Sequence, residues 1–175
     1  YVALLSLHYF FYKNKNYSFE NYIWIFVIFL LTIFIGFRYE VGGDWIIYER
    51  YFNNIPNITF QNFSISTVFF LINKLAYHTN TQFIGVNFIC SLIFMISLAI
   101  FLKNSENKWL ALTISYPVII VILAMGYTRQ CLAFSFCLLL IKSLEDKSLL
   151  RSFVYIILSI LSHKSSLFFT SFLLF

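Results

Sequence analysis

The chain has 175 residues, of which 61% are hydrophobic, 22% aromatic and only 11% charged, with a formal net charge of +5. A soluble domain carries about 25% charged residues, so this composition, with a mean hydropathy of +0.83, excludes a water-facing surface and defines an integral membrane protein. The basic residues are scattered singly, which excludes a nucleic-acid partner and suits topology determinants at membrane boundaries.

In chain order, residues 2–12 form an apolar run too short to span, because a crossing helix needs about 20 residues. With no charged leader before it and no cleavage site after it, this run reads as a cut helix rather than a signal peptide. Residues 21–37 are apolar and uncharged and predict the first complete span. A polar, aromatic stretch then runs from Arg38 to about Ser66, followed by a short block, 67–77, that carries Asn73 and Lys74. Its length and the helical recurrence of Leu71, Leu75 and His78 predict a helix lying at the membrane interface. Further spans are expected over 82–102, 109–126, 128–144 and 149–162, and a second cut segment begins near Ser165. The reading is all-α: a single multi-spanning transmembrane helix bundle over residues 1–175, truncated at both ends. Cys90, Cys131 and Cys137 lie in apolar runs with no C-x-x-C pair and no histidine cluster, so they read as buried thiols and predict no metal site.

Charge decides how the short block is treated. If 67–77 does not cross, the lysine-bearing connections at Lys13 and Lys15, Lys103 and Lys108, and Lys142, Lys147 and Arg151 all fall on one side. Short basic loops belong in the cytoplasm. Residues 38–81 then form one extracytoplasmic loop, on the same side as Arg129 and His163.

Three groups on that side carry chemistry. In the first, Arg38, Glu40 and Asp44 surround the Gly42-Gly43 pair at a membrane exit, where charge is costly and marks function. Asp44 could orient a sugar hydroxyl, pair with Arg38 or act as a base. Trp45, Tyr48, Tyr51 and Phe52 supply aromatic faces that suit sugar rings, and equally suit a membrane interface. In the second, Tyr127-Thr128-Arg129-Gln130 joins two spans by a tight turn, with Thr128 expected as helix N-cap. Arg129 then stands in a first turn, against the helix dipole, where a cation and free backbone N–H groups make a seat for phosphate. In the third, His163 and Lys164 interrupt two apolar runs. A histidine there suits a proton acceptor near neutral pH, or a cap on the last carbonyls of its helix.

Taken in order, Arg38 with Val41-Gly42-Gly43-Asp44 and Tyr48, then the Phe69-to-Leu75 block, then Arg129-Gln130 with Ala133, then His163-Lys164-Ser165-Ser166, resemble the EpsG family, relatives of the Wzy O-antigen and exopolysaccharide polymerases. The resemblance covers residues 21 to the end, with Gly43 where many members carry threonine and Trp45 where tyrosine is expected. It implies an architecture similar to GT-C lipid-dependent glycosyltransferases. It also implies polymerisation of repeat units carried on undecaprenyl diphosphate at the outer face of the bacterial cytoplasmic membrane, alongside a chain-length regulator and a flippase. On this basis Arg129 is assigned to the diphosphate, Arg38 to a second cation or a clamp oriented by Asp44, and His163 to the acceptor hydroxyl. Tyr48, Trp45, Tyr127, Gln130 and Lys164 are expected at the substrate. Asp44 and Glu40 are too few carboxylates for a convincing Mg²⁺ site, so transfer without metal or other cofactor is expected. The alternative is a transporter or flippase for a lipid-linked or anionic substrate, whose charges would line a path near the membrane midplane.

Overall fold

The structure, a computed structural model, describes residues 1–13, 17–57 and 66–174. Lys15 and part of the polar loop, 58–65, lie outside the described residues. Among the described residues the fold is all-helical: α1 (Val2–Lys13), α2 (Tyr17–Gly36), α3 (Trp45–Asn53), α4 (Thr67–His78), α5 (Gln82–Leu102), α6 (Lys108–Ser115), α7 (Thr128–Glu145), α8 (Leu149–Ser162) and α9 (Ser166–Leu174).

Helix α6 runs on as a π-helical segment, Tyr116–Ala124. Pro117 supplies the reason, since it has no N–H to donate and its ring crowds the carbonyl four residues back. Helix α7 is buried around most of its circumference, from Cys131 and Leu132 to Leu140 and Ser143, as expected of a helix with little amphipathic character at the centre of an assembly. Around it pack α5, α8, α9 and the π-helical segment, while α2 pairs with α5.

Helix α8 packs in the inverse sense to a helix of a soluble protein. Along α8, Ser152, Ser159 and Ser162 are buried, while Leu149, Leu150, Phe153, Val154 and Ile157 are exposed. Ser143 and Ser152 hydroxyls lie 2.8 Å apart, Cys137 Sγ is 3.0 Å from Ser159 Oγ, and Ser159 donates to the Ala133 carbonyl. The pair α2–α5 uses the same device: a Cβ on Gly36 would lie 2.7 Å from Ser91 Oγ, and Ser91 donates to the Thr32 carbonyl. Small residues inside and large apolar ones outside is the arrangement of helices in lipid. By length and hydropathy two helices, Phe19–Gly36 and Gln82–Leu102, suffice to cross a membrane, and Lys108–Ala124 and Leu149–Ser162 are shorter apolar helices.

Helix α4 has 12 residues, about 18 Å of helix at 1.5 Å per residue, too short to cross. It buries Phe69, Phe70, Ile72, Asn73 and Ala76 against α5 and α8, so it is packed down on the helices rather than merely laid beside them. Arg38, after α2, contacts Asn87, near the start of α5. The segment between α2 and α5 therefore begins and ends at one end of the assembly. At the opposite end, Glu20 pairs with Lys108 at 3.1 Å and accepts from Trp109 Nε1.

Candidate functional site

Arg38 is only 6% exposed. Its Nη1 donates to the Ala124 carbonyl at 2.8 Å and to the Ile35 carbonyl at 3.3 Å. Its Nη2 donates to Thr128 Oγ1 at 2.6 Å and to Asn87 Oδ1 at 3.1 Å. Two of these acceptors are carbonyls from the last turns of helical segments, which have no partner within their own helix and carry the negative end of the dipole. One guanidinium thus joins the end of α2, the first turns of α5, the end of the π-helical segment and the first residue of α7. Of the three alternatives for Asp44, pairing with Arg38 does not occur, because both amino groups of Arg38 are occupied by these four neutral acceptors. Thr128 is not the N-cap either. Tyr127 holds that position, and the Thr128 hydroxyl is turned to Arg38.

The loop after Arg38 is held against the same turn. Gly42 has φ +109°, and a Cβ there would sit 2.7 Å from the Met125 carbonyl oxygen and 2.8 Å from that of Gly126. Only glycine combines this backbone conformation with so close an approach. Gly43, by contrast, faces open space. Asp44 follows as the N-cap residue of α3, without a side-chain cap bond, and its Oδ2 accepts from the Tyr48 hydroxyl at 2.8 Å.

Arg129, one residue beyond Thr128, is half-buried. Its guanidinium carbon stands 5.2 Å from the centroid of the Tyr48 ring, and Nη1 donates to Ser66 Oγ at 3.3 Å. Its Nε is buried with no hydrogen-bond partner among the described residues. Tyr48, Tyr51, Ser66 and Arg129 line a cavity of about 60 Å³. Burial pushes the Tyr48 hydroxyl above its ordinary pKa; Arg129 draws it down and Asp44 pushes it up.

His163 ends α8 in an extended conformation. Its Nδ1 accepts the Ser165 backbone N–H at 3.2 Å and lies 2.7 Å from Ser165 Oγ. Burial lowers its pKa from the ordinary 6.5, the Arg129 charge lowers it further, and the Asp44 carboxylate opposes both. His163 therefore shares its electrostatic surroundings with the other two groups.

Of the remaining expected residues, Tyr127 and Lys164 are exposed, and Gln130, half-buried, lines an apolar cavity of about 190 Å³ with Ser165 and Ser166. Trp45 differs most from expectation. It is buried, with Phe83 edge-on at 4.9 Å and Tyr39 at 5.6 Å, so its ring packs a core under α3 in place of an open sugar platform. Sequence reasoning missed Asn87, Ser66 and Ser165. Asn87 did leave a signal: a lone amide inside an apolar span is costly without a partner.

These features define a helical membrane protein with a polar, cationic group gathered at one end of its helices. The family comparison is more particular: residues 21–175 match the EpsG family model, and the chain belongs to the EpsG family, a family of Wzy-like polysaccharide polymerases. No curated protein and no solved structure matches the chain.

Proposed function

We propose that this chain polymerises oligosaccharide repeat units carried on undecaprenyl diphosphate, at the outer face of the bacterial cytoplasmic membrane, as a multi-pass glycosyltransferase that needs no metal. In this reading α6 with its π-helical continuation, α7 and α8 cross the membrane together with α2 and α5, and the Arg38–Thr81 segment lies outside. A hydroxyl oxygen of the acceptor sugar attacks the anomeric carbon of the donor. The bond from that carbon to the lipid diphosphate breaks, and the diphosphate leaves with the bonding electrons.

One observation carries the reading: Arg129 stands over the Tyr48 ring with an unpartnered Nε, within electrostatic reach of His163. A guanidinium with donors to spare suits charge developing on a departing diphosphate. The Asp44–Tyr48 pair serves the sugar, and His163 the reacting groups. Gln130, Tyr127 and Lys164 border the approach, and a flippase and a chain-length regulator are the partners such a pathway supplies.

The test replaces Arg129 and His163 by alanine in the full chain and scores polysaccharide length in cells. Each variant should cut polymerisation about 100-fold or more, the usual cost of losing one transition-state donor, leaving single repeat units. Long chains from well-expressed variants would defeat the reading.

A further inference from the structure

The bonds around His163 specify which nitrogen carries its proton. A backbone N–H is an obligatory donor, and that of Ser165 points at Nδ1 from 3.2 Å. Nδ1 must therefore offer its lone pair. The Ser165 hydroxyl, 2.7 Å away, donates to the same nitrogen. In neutral imidazole one nitrogen is donor and the other acceptor, so the proton resides on Nε2. The turn that does this is itself anchored, since Ser166 Oγ donates to the His163 carbonyl at 2.7 Å and the Ser166 N–H bonds that carbonyl at 3.2 Å. Ser165 belongs to no substrate contact described above, and its contribution is to the orientation of the ring.

We infer that Ser165 is a positioning residue that holds His163 as its Nε2–H tautomer, so that the ring serves the site as a hydrogen-bond donor to a phosphate oxygen rather than as the base. This rests on the polymerase reading and deepens it. With its one lone pair already engaged at Nδ1, the ring has no free acceptor for the proton of the attacking hydroxyl. That proton passes instead to the Asp44 carboxylate, where the one described hydrogen bond is accepted at Oδ2, from Tyr48. His163 Nε2–H then joins Arg129 on the diphosphate, adding a neutral donor to a cationic one.

Two measurements on the full chain test this, and the first does not depend on activity. Histidine-selective ¹⁵N NMR in lipid nanodiscs, with His163→Gln to assign the signal and exposed His78 as reference, should find His163 in the Nε2–H form at neutral pH. Ser165→Pro, which removes the backbone N–H together with the hydroxyl, should let the Nδ1–H form appear beside it, whereas Ser165→Thr, which keeps both donors, should not. A wild-type Nδ1–H ring, or a Ser165→Pro spectrum identical to wild type, overturns the assignment even if the protein is a polymerase. The second is polymer length. Gln at 163 places an amide N–H near the Nε2 position, whereas Asn reaches only as far as Nδ1. His163→Gln should stay within about tenfold of wild type, while His163→Asn and His163→Ala fall about 100-fold or more. A glutamine variant as inactive as alanine refutes the donor role. Unchanged polymer in all three also refutes the donor role while leaving the tautomer result standing, and unchanged polymer from Arg129→Ala as well refutes the polymerase reading itself.

Discussion

Replacing Arg38 should unfold the protein before it alters any substrate contact. Arg38→Ala leaves four buried acceptors without their donor: the Ile35 and Ala124 carbonyls, Asn87 Oδ1 and Thr128 Oγ1. Hydrogen bonds to a charged group contribute about 1.5–3 kcal/mol each. They are not additive here, because losing one lets the helix ends part and weakens the rest. Each buried neutral acceptor left unsatisfied costs about 1–3 kcal/mol, and with some of the four rehydrated as the helix ends part the whole loss comes to about 3–5 kcal/mol. In a protein of this size that lowers Tm by roughly 6–20 °C. Arg38→Lys should recover less than half of the loss, since one ammonium cannot serve acceptors on two prongs of a fork. Thr128→Val removes a single acceptor and should cost about 1–3 kcal/mol. Thermal unfolding of purified variants in one detergent, with chain length scored in parallel, gives both numbers. An Arg38→Ala protein that melts with wild type yet makes no polymer would refute the reasoning and return Arg38 to direct contact with the diphosphate.

Two adjacent glycines should behave oppositely: Gly42→Ala, with φ +109° and two carbonyl oxygens within 2.8 Å of the new methyl, should cost about 1–3 kcal/mol, whereas Gly43→Ala, with nothing within 4 Å, should stay within about 0.5 kcal/mol in the same melting assay. His163, whose pKa is lowered by burial and then by Arg129 and raised by Asp44, should titrate below 6.5 by NMR. Arg129→Ala should move that titration up and Asp44→Asn should move it further down; an unmoved titration in both would separate His163 from the group. The linkage sign follows. A folded-state pKa below the unfolded one means the unfolded chain binds more protons in that window, so this stability contribution is present above about 6.5 and is lost as pH falls.

How much of this was legible depended on whether a residue's partner was local. Arg129 in the first turn of α7 and the Arg38 charge at the end of α2 were visible, because helix ends announce themselves by where apolar runs stop. The gathering of Arg129, Asp44 and His163 at one end followed from counting lysines between runs. The work of Arg38 was not visible. Three of its four acceptors lie 49, 86 and 90 residues away, and one of these three is a backbone carbonyl, which has no letter in a sequence. The same limit explains Trp45. An aromatic side chain beside Asp44 reads as a sugar platform or as core, and only Phe83, brought up by α5, decides between them. Thr128 has the residue type and position of a cap, but its hydroxyl accepts from the stronger donor of Arg38. The sequence reads 109–126 as an unbroken span, so neither the wider winding at Pro117 nor the Ala124 carbonyl it brings to Arg38 was foreseeable there.

The two arginines at helix ends therefore divide a task that resemblance alone assigned to both. A guanidinium can lend charge to a substrate only if some of its donors remain unspent. Both keep an unmatched Nε, but Arg38 has spent both amino groups on protein, whereas Arg129 rests on a ring face and its one described hydrogen bond runs from Nη1 to a serine hydroxyl. The two are also coupled through the chain. Thr128, gripped by Arg38, immediately precedes Arg129, and Gly42 seats the loop that delivers Asp44 and Tyr48 against the Met125–Gly126 turn that delivers Arg129. Arg38 thus fastens the loop and the start of α7 to the ends of the same helices, and in the proposed reaction Arg129 would need no reorganisation as charge builds on the leaving group. Losing Arg38 should abolish polymer as completely as losing Arg129, but for the opposite reason, and the melting temperature separates the two.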